Sequence, residues 1–168
     1  MDPGQLLSGR SRETTIVRDA TGRWFQDGQP LEHPNLTRAF YRWVRRAADG
    51  RYCLENYINW AYITLEGAPF FVRSVQIDDG HAVTLLLSND VREPLRSQTL
   101  RTGPDGALYC DVADGQMVAR FDRHATAQLE ALLGEDEHGV YLDLEGARVR
   151  PEITADPLQP VVAQEHRE

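Results

Sequence analysis

The sequence contains no lysine: all 18 of its basic residues are arginine. A genome rich in GC favours arginine codons, and the bias runs along the whole chain, so by itself it marks no site. Cysteine is nearly as scarce, with only Cys53 and Cys110, each directly after a tyrosine. Two are too few for the disulfide framework of a small secreted domain, and neither has a second Cys or His at metal-ligand spacing. They read as small buried apolar residues in a reducing compartment. No apolar run approaches the roughly 20 residues of a membrane span. The opening Met-Asp-Pro-Gly-Gln lacks the basic stretch and apolar core of a signal peptide, so cytoplasm is the expectation.

Catalytic and cofactor motifs are missing too. No GxSxG elbow, GxxxxGK[ST] loop, GxGxxG turn or HExxH pair occurs. His33, His81, His124, His138 and His166 show no metal-binding spacing. Asp78-Asp79 and Glu135-Asp136-Glu137 lie in expected turns, where charge is solvated rather than paired in a cleft. We therefore expect no catalytic residue, no metal and no cofactor.

What remains is an ordinary globular composition. Of 168 residues, 41% are hydrophobic and 26% charged, and the net charge is −8. Acidity of this size favours solubility and argues against nucleic acid or anionic membrane as a partner. The length suits one compact domain or two small subdomains.

Periodicity assigns an α+β fold with mainly antiparallel sheets. Residues 1–12 read as a flexible N-terminal arm and 153–168, with two prolines and terminal charges, as a flexible tail. A short β-branched run at 15–18, the turn Asp19-Ala20-Thr21-Gly22 and Arg23–Gln26 predict a hairpin, followed by a turn at Asp27-Gly28. Leu36, Ala39, Phe40, Trp43, Val44 and Ala47 recur at three- and four-residue spacing and predict a helix over 35–47. Strands are expected at 52–54, 58–65, 70–77 and 82–88, the last two joined by Asp78-Asp79-Gly80. The faces of 70–77 do not separate cleanly into apolar and polar. Residues 89–98 read as a loop.

The second half replays the first. Gly22-Arg-Trp-Phe corresponds to Gly106-Ala-Leu-Tyr, 106 − 22 = 84 residues on, and Gly50-Arg51-Tyr52 to Gly139-Val140-Tyr141, 139 − 50 = 89 residues on. Between them, the helix bearing Leu36, Phe40, Trp43 and Val44 corresponds to Ala125, Leu129, Leu132 and Leu133. We expect two related strand–helix–strand subdomains at 13–98 and 99–152, because one copy of such a unit cannot bury its own apolar face.

Several of these stretches resemble the bacterial family catalogued as domain of unknown function 1285. They are Gly22–Phe25, Gly28, Pro30, the helix with Leu36 and Phe40, Asp49–Leu54, Glu66–Phe70, and Asn89-Asp90 with Pro94-Leu95-Arg96. Where that family would place a Pro and a Glu before the second strand pair, this chain has Tyr57 and Asn59. The resemblance covers about Thr15 to Arg150. It implies an α+β fold of two related subdomains, no established activity and a small-ligand role in signalling.

Two functions suit these residues. The first is a non-catalytic ligand-binding or regulatory module holding a small anionic ligand between the repeats. Trp24, Arg42, Asn89 and Arg96 would supply stacking, anion contact and hydrogen bonding. The second is a protein-interaction adaptor. Arg38, Arg42, Arg45 and Arg46, along one side of the first helix, would form a basic ridge for an acidic partner. An enzyme of unrecognised type ranks third. Ligand, partner and oligomeric state are not legible in the sequence.

Overall fold

A computed structural model describes residues 12–161 as an α+β protein of two short helices and many strands in mostly antiparallel sheets. Most of the arm and the end of the tail lie outside these residues. The chain divides into two compact units between Pro69 and Phe70.

The first unit opens with β1 (Val17–Arg18), β2 (Trp24–Gln26) and β3 (Gln29–Pro30), joined antiparallel. Asp27-Gly28 turns β2 into β3, both residues having positive φ (51° and 75°), as a two-residue hairpin requires. Helix α1 (Pro34–Trp43) follows, with Pro in its first turn and Leu36 and Phe40 buried. Next come β4 (Val44–Arg46), β5 (Tyr52–Glu55) and β6 (Trp60–Tyr62), an antiparallel meander. Then β7 (Thr64–Leu65) returns to lie parallel to β1.

The predicted helix thus stops four residues short of Ala47. Val44, at the end of its apolar stripe, instead pairs across the sheet with Leu54, which pairs with Ala61. All three are buried, and burial in the sheet outweighs helical periodicity. The expected strand 58–65 is also two strands in two sheets, and Tyr57-Ile58 belongs to neither.

The second unit is built on β8 (Phe70–Ile77), β9 (Val83–Leu87), β10 (Arg92–Pro94), β11 (Arg101–Thr102), β12 (Leu108–Val112) and β13 (Met117–Phe121). With β17 (Glu152–Ile153) they form one seven-stranded sheet, ordered β10-β9-β8-β13-β12-β11-β17. Strand β8 is flanked on both edges, and its pairing with β9 slips between Val72 and Ser74. The slip explains the unclear faces of 70–77, since a bulge shifts the alternation by one residue. Nearby, the Val75 N–H donates to the Gln128 side chain at 2.7 Å.

Helix α2 (Arg123–Leu129) is started by Asp122, whose carboxylate accepts from the Ala125 N–H at 2.9 Å. A turn of 3₁₀ helix leads into the meander β14 (Leu133–Asp136), β15 (Gly139–Leu144) and β16 (Ala147–Val149).

Because β8 pairs with β13, residues 70–98 belong to the second unit, and the boundary expected at 98/99 moves to Pro69/Phe70. The expected loop 89–98 contains β10 and the start of a 3₁₀ turn at Ser97–Thr99. Residues 153–161, expected as loose tail, are held: buried Arg101 donates to the carbonyls of Pro157 and Gln159, and the Val161 N–H donates to Asp111 at 2.7 Å. Arg12, assigned to the arm, accepts from the Tyr62 N–H at 2.6 Å.

Apart from β8–β10, which open the second unit, strands β1–β7 and β11–β17 follow one order. Three antiparallel strands (β1–β3; β11–β13) lead to a helix, then to a three-stranded meander, then to a strand parallel to the first (β7 on β1; β17 on β11). Each has a buried arginine at its closure. Arg18 donates to the carbonyls of Glu66, Ala68 and Pro69, as Arg101 does to those following β17. Among the described residues no helix is long and apolar enough to cross a membrane.

Candidate functional site

The residues expected to make the ligand site have other surroundings. Trp24 is 2% exposed and packs edge-on against Phe40 and Tyr41 (ring centroids 5.2 and 5.3 Å apart), so its faces are spent in the core of the first unit. Its indole N–H is buried without a hydrogen-bond acceptor. Arg42 lies on the exposed side of α1. Asn89 and Arg96 belong to the second unit. Asn89 accepts from the Val91 N–H in a turn, and Arg96 pairs with Asp114 at 3.3 Å.

The arginine ridge is divided as well. Arg38 and Arg42 are helical, whereas Arg45 and Arg46 fall on β4. Arg45 donates to the Arg42 and Val44 carbonyls at 2.9 and 2.8 Å, bridging helix end and strand. Arg46 lies over the Tyr52 ring and donates to its hydroxyl at 3.0 Å.

Where the helix gives way to sheet, a different surface forms. Pairing of Arg45 with Cys53, Cys53 with Tyr62, and Glu55 with Trp60 puts these five side chains on one face of the meander, opposite Val44, Leu54 and Ala61. Cys53 is buried beneath this face, and burial pushes its thiol pKa up, away from a nucleophile's requirement. Cys110, within the second sheet, is pushed up further by the same cause.

Two concavities flank Glu55. One, of about 390 Å³, has Arg46, Asp49, Cys53, Trp60 and Tyr62 among its walls; the other, of about 350 Å³, is lined by Trp43, Arg45, Asn56 and Tyr57.

The aromatic walls are braced by arginine. The Arg12 guanidinium lies 4.8 Å from the Trp60 ring and Arg51 3.7 Å from that of Tyr62. Arg51 grips Glu13 with two bonds of 2.7 and 2.8 Å, which holds that carboxyl below its usual range. The Tyr62 hydroxyl donates to Asp49 at 2.7 Å, lowering the carboxyl's pKa and raising the phenol's.

The tip of the meander is also set firmly. Asn56 accepts from the N–H groups of Ile58 and Asn59, both at 2.8 Å. This small turn leaves Tyr57 98% and Ile58 76% exposed, the two most exposed large hydrophobic residues among the described residues of its unit. Sequence reading passed over them by continuing a strand through 58–65. The available signal was Asn56-Tyr57-Ile58-Asn59 itself, a bulky pair between two asparagines.

No protein-family model and no curated protein matches the chain. Solved structures do. A DUF1285 family protein from Silicibacter pomeroyi DSS-3 aligns with a TM-score of 0.65 and 20% identity, over 98% of this chain and 90% of that one. A second, from Shewanella baltica OS155, aligns with a TM-score of 0.53 and 16% identity, over 67% of this chain and 87% of the other. The fold is that of the DUF1285 proteins. The resemblance carried by Gly22–Phe25, Asp49–Leu54 and Glu66–Phe70 thus agrees with the three-dimensional similarity. Asp49–Leu54 runs directly into the aromatic face.

Proposed function

We propose that this protein is a non-catalytic interaction module whose first unit presents the tip and outer face of the β4–β5–β6 meander to a partner protein. The exposure of Tyr57 and Ile58 on a pre-set turn carries this reading. A water-facing Tyr-Ile pair gains nothing for its own fold, whereas on association it buries apolar area with little ordering cost. The surrounding residues have the composition of an interface centre, where Trp, Tyr and Arg dominate binding energy. Arg45, which lines a concavity with Asn56 and Tyr57, suits a partner segment bearing carboxylates. This moves the adaptor role from the helix to the sheet that follows it.

The test is co-purification from the source cells with wild-type protein and with Tyr57→Ser/Ile58→Ser as bait. The reading requires specific proteins retained by the wild type and lost from the variant. An identical set from both baits rejects it.

A further inference from the structure

The shared connectivity of the two units allows their interiors to be compared place by place. In the first, the space between β2, the helix and the start of the meander is filled by Trp24, Phe40, Tyr41 and Val44, all buried. The Tyr41 ring closes it, its hydroxyl donating to the Gly22 carbonyl at 2.6 Å.

In the second unit, backbone pairing sets Leu108 where Trp24 stands. Each residue lies opposite the last residue of the preceding strand, Thr102 and Arg18 respectively. Counting along the helix from Pro34 and Arg123 sets Leu129 at Phe40, Glu130 at Tyr41 and Leu133 at Val44. An indole has become an isobutyl group, and the closing phenol an exposed carboxylate.

The space is accordingly not filled. A cavity of about 270 Å³ opens there, walled by Leu108, Leu129, Leu133, Val140, Tyr141 and Leu142, with Thr126 and Glu130 also lining it. Leu133 is 51% and Val140 59% exposed.

We propose that this cavity binds a small neutral aromatic molecule, of phenol to indole size, in the place that aromatic side chains occupy in the first unit. A cavity of about 150 Å³ walled by Leu, Ile and Phe stays dry and accepts benzene, so 270 Å³ accommodates one or two fused rings. The charge of the ligand follows from the walls. Among the described residues none lining the cavity is cationic and Glu130 is acidic, while the nearby Arg148 and Arg150 are engaged with Asp136 and the Tyr141 ring. The cavity therefore disfavours an anionic ligand. The inference does not depend on the function proposed for the first unit's meander.

The experiment uses indole and p-cresol as neutral probes and benzoate as an anionic one, followed by thermal unfolding and by methyl NMR of the full chain. Saturable binding should raise the Tm by about 3–6 °C at ten times the Kd and shift the methyls of Leu129, Leu133 and Leu142. Leu108→Trp and Glu130→Tyr, which restore the first unit's residues, should each weaken indole at least tenfold. If either fails to fold, the wild-type methyl map decides. The proposal is overturned by no saturable response up to probe solubility, by shifts confined to other methyls, by benzoate binding as tightly as p-cresol, or by full-strength binding in both folded variants.

Discussion

An arginine taken out of water needs acceptors and a counter-charge: Arg101 donates to the carbonyls of Thr99, Pro157 and Gln159, and an Asp111 carboxylate oxygen lies 3.0 Å from its Nη1 as an ion pair. Both members are buried. Removing Asp111 leaves a charge with no counter-ion and frees the Val161 N–H. Asp111→Ala should therefore cost about 3–5 kcal/mol in urea unfolding, and replacing both partners with leucine should cost less. Equal losses would show that the pair acts by packing alone. Asp136 offers a pH-dependent case. Bonds from Arg150, then Arg148, hold its carboxyl at about 2, below roughly 3.9 in an unfolded chain. The depressed value stabilises the fold above pH 4, and the contribution disappears as pH falls from about 4 to about 2. The Tm gap between wild type and Asp136→Asn should be full at pH 6 and closed near pH 2. A gap that does not vary with pH would contradict this.

Elements were legible where local chemistry and packing agree. Asp27-Gly28 gives its turn at once through positive φ, and Leu36 with Phe40 gives the body of α1, because those two are buried in the result. Legibility failed where one residue served two periods. Val44 continues the helical stripe and equally begins a strand, and only its partners Leu54 and Ala61 decide which. Arg45 and Arg46 followed it out of the helix, so the expected ridge of four is divided. The bulge in β8 hid the buried faces of 70–77 for a comparable reason, since a one-residue slip cannot be read from alternation. Helix α2 has only seven residues, and its start depends on Asp122. Asp122→Ala should lower stability by about 1 kcal/mol, measured by chemical denaturation; an unchanged midpoint would remove the cap from the account.

For the whole molecule, an α+β fold of mainly antiparallel sheets was readable from the periodicity. The true boundary was not, because it rests on β8 joining β13, a pairing of residues about 50 positions apart (119 − 70 = 49). The candidate site was the least legible part. Trp24 had the right chemistry for stacking but is enclosed by Phe40 and Tyr41. Ile58, exposed beside Tyr57, looked like the start of a strand. Nothing local in sequence distinguishes an aromatic residue that fills a core from one that faces water; that depends on which elements cover it.

The first unit is proposed to work through the tip of its meander. The most direct measurement places a photo-reactive amino acid at position 57 in the intact protein inside its source cells, with position 145, an exposed turn residue of the second unit, as the control. A discrete cross-linked product is expected from position 57, missing from position 145 and lost when Arg45 is replaced by glutamate. No product at 57, or the same products from both positions, would contradict it.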